Sequence, residues 1–177
     1  MGLANELGYG HRSQTRFQRV VVAIASTRAV STLNRRLLPS LDRLVLTVTG
    51  GRGTLTSLAS GLPILWLTSV GARSGLARTS PLLGFPLGED MAVIGTSFGQ
   101  KTTPGWVHNL EAHPDASAVY QGIEVRVVAR RAEPEETNLV WETAVRTYPG
   151  YANYTRWASH RQIRVFVLEV AVNRGRD

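Results

Sequence analysis

The sequence has no cysteine. That excludes a disulfide framework, a thiolate metal site and a cysteine nucleophile. Lysine is nearly absent as well: Lys101 is the single lysine among 20 basic residues, and the rest are arginine. The four histidines, His11, His108, His113 and His160, are scattered and lack metal-ligand spacing, so no metal site is expected. No Gly-x-Ser-x-Gly elbow is present, which leaves a hydrolase triad without its nucleophile. No Gly-x-Gly-x-x-Gly opens a helix after a strand, which removes the support for a Rossmann nucleotide site. The longest apolar run near the N-terminus, residues 20–25, is far too short to span a bilayer. No small-residue cleavage pattern follows it, so a signal peptide is not expected and a cytoplasmic location is. The arginines are not interleaved with aromatics, so nucleic acid is not an expected partner.

What is present is the composition of a globular domain. The chain has 177 residues, 43% of them hydrophobic, enough for one domain with a core. Twenty basic against 13 acidic residues give a net charge of +7, which favours a polyanionic ligand or an anionic surface. Residues 12–38 carry Phe17, Val20, Val21, Ile24, Val30, Leu33 and Leu37 at roughly helical spacing with arginines between them. This is a basic amphipathic helix, stopped by Pro39. Such a helix either lies on an anionic membrane surface or packs its stripe on the domain behind it. Residues 41–48 read as a second short helix, with a strand as the alternative.

From about residue 62 the texture changes. Residues 64–70, 79–85, 91–96, 116–120, 123–130 and 163–170 read as strands separated by glycine turns. Short helices are expected from Pro104 to Ala112, from Pro134 to about Thr147, and over 151–159. Six strands interrupted by short helices predict an α+β fold, a small antiparallel barrel with flanking helices. The expected organisation is a helical extension over 1–40, the barrel domain over 41–172, and a frayed tail over 173–177.

Three segments carry candidate chemistry. In the first, Gly71-Ala72-Arg73-Ser74-Gly75 joins two strands, with Arg78 just beyond. Two glycines let the backbone turn, successive amides can converge on an anion, and two arginines frame the place. Alone, such a turn equally describes a surface hairpin with solvated arginines. In the second, the strand ending at Gly95 gives way to Ser97-Phe98-Gly99-Gln100, and a helix begins at Pro104-Gly105-Trp106. Backbone N–H groups at such a junction suit the edge of a flat heterocycle, and the helix N-terminus adds partial positive charge. The alternative is a plain helix start with Trp106 and Leu110 in the core. In the third, Tyr148, Tyr151 and Tyr154 recur at intervals of three, which places them near one face of a helix. A phenol can stack on a ring or donate a proton; half-buried rim aromatics are the plainer reading.

Together these segments resemble the deazaflavin-dependent nitroreductase family, which uses coenzyme F-420. Gly71, Ser74, Gly75, Arg78, Pro81 and Leu82 match its first motif, Pro104, Trp106, Asn109 and Leu110 its second, and the three tyrosines its third. The resemblance covers roughly residues 40–170. It implies a split β-barrel of the type that also binds flavin mononucleotide (FMN), and hydride transfer from reduced deazaflavin to an activated double bond, quinone or nitroaromatic. It assigns Arg73, Ser74, Gly75, Arg78 and Pro81 to the coenzyme phosphate and tail. Ser97, Phe98, Gly99 and Gln100, with Trp106 nearby, become the ring seat. Tyr148, Tyr151 and Tyr154 become the catalytic substrate wall, with Tyr151 the favoured proton donor. Split barrels often dimerise, so a homodimer is part of the expectation. An FMN enzyme on the same barrel, or a non-catalytic carrier of cofactor or lipid, are the competing readings. Ala72 stands where many members have arginine, Phe98 where a founding subgroup has lysine, and Thr102-Thr103 where a basic residue and histidine are frequent. These departures bear on substrate identity more than on cofactor identity.

Overall fold

The computed structural model describes residues 2–9 and 64–171. In chain order the described elements are α1 (Leu3–Glu6), β1 (Ile64–Val70), β2 (Ala77–Leu87), β3 (Asp90–Ile94), a 3-10 turn (Ser97–Gly99), α2 (Gly105–Ala112), β4 (Asp115–Tyr120), β5 (Ile123–Arg131), α3 (Pro134–Thr147), α4 (Gly150–Trp157) and β6 (Val165–Val170). The expected basic helix over 12–38, the short helix over 41–48 and the tail over 173–177 lie outside the described residues.

The strands form an antiparallel barrel, as the sequence pattern predicts; it is closed, in the order β1-β2-β3-β6-β5-β4. Alternation builds it: β1 buries Leu65, Leu67 and Ser69 and leaves the residues between them half-buried. Two prolines sit in β2 without breaking the ladder. Pro81 lies where β2 pairs only with β1, and Pro86 where it pairs only with β3. Each missing N–H can therefore fall on an unpaired side. Two-residue loops close two hairpins at the same end of the barrel. Gln121 and Gly122 both have positive φ, 51° and 86°, the pattern of a type I′ turn. Gly88, at φ 60°, opens the β2–β3 loop.

Helices seal the barrel ends. At the end with the two tight hairpins, α1 and the residue that follows it lay Leu3 and Leu7 into the core, and the Ala4 N–H donates to the Glu89 carbonyl at 3.1 Å. The polar, glycine-rich character of the first residues gives little sign of this plug. At the other end α2 buries Trp106, Val107 and Leu110 in the same interior cluster. A second apolar cluster lies outside the barrel wall. Phe85, Ala92, Ile94 and Val165 meet Val140 and Ala144 of α3 and Tyr151 and Tyr154 of α4.

Candidate active site

Strand β1 delivers the chain to a turn at the α2 end of the barrel. The Gly75 N–H donates to the Gly71 carbonyl at 2.8 Å, and the Gly71 N–H to the Leu76 carbonyl at 2.9 Å. Both positions favour glycine. Gly75 has φ 65°, and a Cβ on Gly71 would come within 2.6 Å of the Ser74 hydroxyl. The turn is tied to α2 by Asn109, which is buried. Its Oδ1 accepts from the Ala72 N–H at 3.0 Å, and its Nδ2 donates to Ser69 Oγ at 3.1 Å. This link spans 37 and 40 residues of chain and joins the first sequence motif to the second.

Between the turn and α2 lies an open cleft of about 940 Å³. Arg73, Ser74 and Arg78 line one side, with Thr79 and Ser80 of β2. Ser97, Thr102 and Thr103 line the other, followed by Pro104, Gly105 and Trp106 at the start of α2, then His108 and Asn109. Among the described residues neither Arg73 nor Arg78 has a carboxylate partner. The N-terminus of α2 has no side-chain cap, so its partial positive charge opens on the cleft. Among the described residues the site thus gathers two cations without a carboxylate partner and a helix start without a side-chain cap around one concavity, the chemistry of an anion-binding pocket.

The loop beyond β3 is held under backbone strain. Ser97, Phe98 and Gly99 take consecutive left-handed angles, φ 49°, 54° and 72°. Two of the three are not glycine, and such residues persist only where their surroundings hold them. Arg161 supplies part of that hold. Its guanidinium donates to the carbonyls of Gly95 at 3.1 Å, Thr96 at 2.6 Å and Gln100 at 3.1 Å. Burial and the nearby charge of Arg164 lower its pKa from the ordinary arginine value. Arg164 forms an ion pair with Glu111 of α2 at 2.8 Å, with angles too poor for a hydrogen bond.

Of the residues assigned to the coenzyme, Arg73, Ser74, Arg78, Ser97 and Trp106 line the cleft. Gly75 shapes the turn, while Pro81 sits in the β1–β2 ladder opposite Trp66. Phe98, Gly99 and Gln100 belong to the strained loop beside Ser97, and Phe98 is exposed. The three tyrosines sit elsewhere. Tyr148, Tyr151 and Tyr154 are buried in the outer cluster and are not among the residues lining the cleft. Tyr151 packs edge-on against Phe85 and Trp141, and burial pushes its hydroxyl pKa up. Tyr154 donates to the Tyr148 hydroxyl at 3.3 Å and meets Phe98 edge-to-face at 6.2 Å. The sequence reading missed Asn109 as a tether and His108 as a wall residue, and it missed Arg161 altogether. Asn109 had a signal, its place in the second motif; Arg161 had none beyond being one arginine among many.

Residues 45–170 match the model of the F420H(2)-dependent quinone reductase family. The F420H(2)-dependent quinone reductase of Mycobacterium tuberculosis is 29% identical over 109 residues, which cover 60% of this chain and 72% of the relative. A solved F420-H2-dependent reductase, FDR-A, shares 33% identity with a TM-score of 0.55, covering 60% of this chain and 94% of its own. A solved domain-swapped dimer, 29% identical, superposes with a TM-score of 0.57 over 72% of this chain and 95% of its own. The chain belongs to the F420H(2)-dependent quinone reductase family, and it is an oxidoreductase with coenzyme F-420 as its cofactor.

Proposed function

We propose that this protein reduces a quinone, or a related activated double bond or nitroaromatic, in the cleft between the 71–76 turn and α2. One observation carries the reading: two motifs distant in sequence converge on one cleft, tied by the Asn109 bridge. The residues present fit the cofactor. Arg73 and Arg78, unpaired among the described residues, suit a phosphodiester and a carboxylate tail, and the uncapped start of α2 adds to the positive field. Ser97 on the opposite wall, with the backbone at the start of α2, suits the polar edge of a flat ring. When bound, the coenzyme supplies a hydride. The protein's work is to hold donor and acceptor in register and to keep the arginine side anchored.

Hydride addition to a quinone also takes up one proton. A buried tyrosine hydroxyl whose pKa is raised is a poor donor to a cleft it does not line. In this reading the tyrosine segment supports the 97–100 loop from behind, and solvent supplies the proton. The domain-swapped dimer among the solved relatives supports a homodimer for this chain, which sedimentation velocity tests directly.

The deciding assay measures turnover with reduced coenzyme F-420 against quinones, enones and nitroaromatics, with reduced FMN and nicotinamide donors as controls. Quinone reduction driven by the deazaflavin alone is the expected outcome. Turnover with the flavin donor alone, or coenzyme binding without turnover on any acceptor, would refute the proposal.

A further inference from the structure

We propose that Arg161 is the positioning residue that keeps the 97–100 loop in register for the coenzyme ring; this rests on the reading of the cleft given above. The guanidinium bonds to both ends of the left-handed stretch. Gly95 and Thr96 lead into it, Gln100 leads out, and all three offer their carbonyls to one side chain. The two flanks of a strained tripeptide are thereby held at a fixed separation. The planar fork meets them from three separate nitrogens at fixed spacing; an ammonium, with all its donors on one nitrogen, cannot reproduce that spacing.

The loop has a second support. A Cβ on Gly99 would come within 2.9 Å of the Trp157 ring, so the backbone lies directly against α4. Arg161 follows α4 by a few residues, and its own N–H donates to the Ala158 carbonyl at 3.0 Å. One short segment therefore braces the loop from behind and clamps it at both ends, while Ser97 at its start lines the cleft. Among the described residues Arg161 has no carboxylate partner, and the charge that acts on it is that of the like-charged Arg164. A half-buried arginine with its three kinds of N–H group on one loop is placed for that loop.

The test compares Arg161→Gln and Arg161→Lys with the parent. In the absence of coenzyme, amide hydrogen exchange at Gly99 and Gln100 is expected to accelerate about tenfold or more in Arg161→Gln, while β5 and β6 amides keep their parent rates. Coenzyme F-420 titrated by fluorescence quenching should bind about tenfold more weakly, the scale on which one charge-assisted hydrogen bond acts. kcat at saturating coenzyme should fall as well, and Arg161→Lys should recover part of both. A folded Arg161→Gln variant with parent exchange rates and parent affinity overturns the proposal. Should Arg161→Gln fail to fold, Gly99→Ala keeps the guanidinium and disturbs the same loop from the Trp157 side. It is then expected to weaken coenzyme binding, and unchanged binding overturns the proposal. A parent protein that binds no coenzyme F-420 overturns the cofactor reading and, with it, the ligand assigned to this loop. Tight parent binding matched by Arg161→Gln overturns only the role of Arg161.

Discussion

The two ends of the barrel are closed by the same means and used differently. At the end of the tight hairpins, Leu3 and Leu7 of the N-terminal segment enter the core, Tyr9 donates to the Gly84 carbonyl at 2.6 Å, and its ring meets Tyr120 at 4.7 Å, tilted by 47°. Burial pushes the Tyr9 hydroxyl pKa up, and the neighbouring loops are as short as hairpins allow. At the other end α2 likewise buries Trp106, Val107 and Leu110, but its N-terminus opens on a cleft with two arginines, and among the described residues none of the three has a side-chain partner of opposite charge. The loop beside it holds three successive left-handed residues. Stability is concentrated where side chains fill space, and the polar backbone and charge collect where a ligand can reach them. A fold that seals one mouth with leucine can keep the other mouth strained.

That contrast predicts separable effects. Leu7→Ala removes a fully buried side chain from the sealed end and should cost about 2–5 kcal/mol of stability. Coenzyme affinity in the folded fraction should not change; denaturant titration beside fluorescence quenching measures both. A loss of affinity would mean that the two ends are coupled. Arg78→Ala should do the reverse. Affinity for the coenzyme should fall about tenfold to a hundredfold, corresponding to ~1.5–3 kcal/mol, with the unfolding midpoint kept. Unchanged affinity in the folded variant removes Arg78 from the site.

Asn109→Ala should blur the contrast, because Asn109 is both buried and part of the cleft wall. It leaves the Ser69 hydroxyl and the Ala72 N–H without their partner, a cost of about 1–3 kcal/mol. Stability and coenzyme affinity should fall together, since the turn is then no longer tethered to α2. Affinity that survives would show the turn to be rigid by itself. The smallest effect is expected from Tyr151→Phe, which keeps the packing against Phe85 and Trp141 and removes only a hydroxyl. Its kcat should stay near the parent value. A drop of ~10²-fold or more, the scale of general acid catalysis, would instead make Tyr151 the proton donor.

Much of the fold was legible in the sequence, and less of the site. The run over 64–70 matched β1 residue for residue, and Pro134 marked the start of α3, where the Glu133 N–H donates to Glu136 Oε2 at 2.8 Å. The arginine turn and the Pro104–Trp106 helix start announced a shared cleft only through the resemblance that paired them. Tyr148, Tyr151 and Tyr154 did fall close together, and their rings interlock at 5.5–6.1 Å. The spacing gave no direction, however, and they face the barrel wall.

The division has a physical origin. Strand alternation, glycine turns, proline starts and helix stops are local preferences, set by side-chain sterics and backbone donors within a few residues. The sequence by itself therefore determined most of the strands and turns, the antiparallel barrel class they suit, and the arginine turn's suitability for an anion. Burial direction and long-range pairing depend on which segments meet after the chain closes. Only the tertiary structure brought Arg161 onto the carbonyl of Thr96, 65 residues away, set Asn109 against the Ala72 amide, and placed Leu3 and Leu7 inside the barrel. No local pattern encodes those contacts, because each partner's geometry exists only once the barrel has closed.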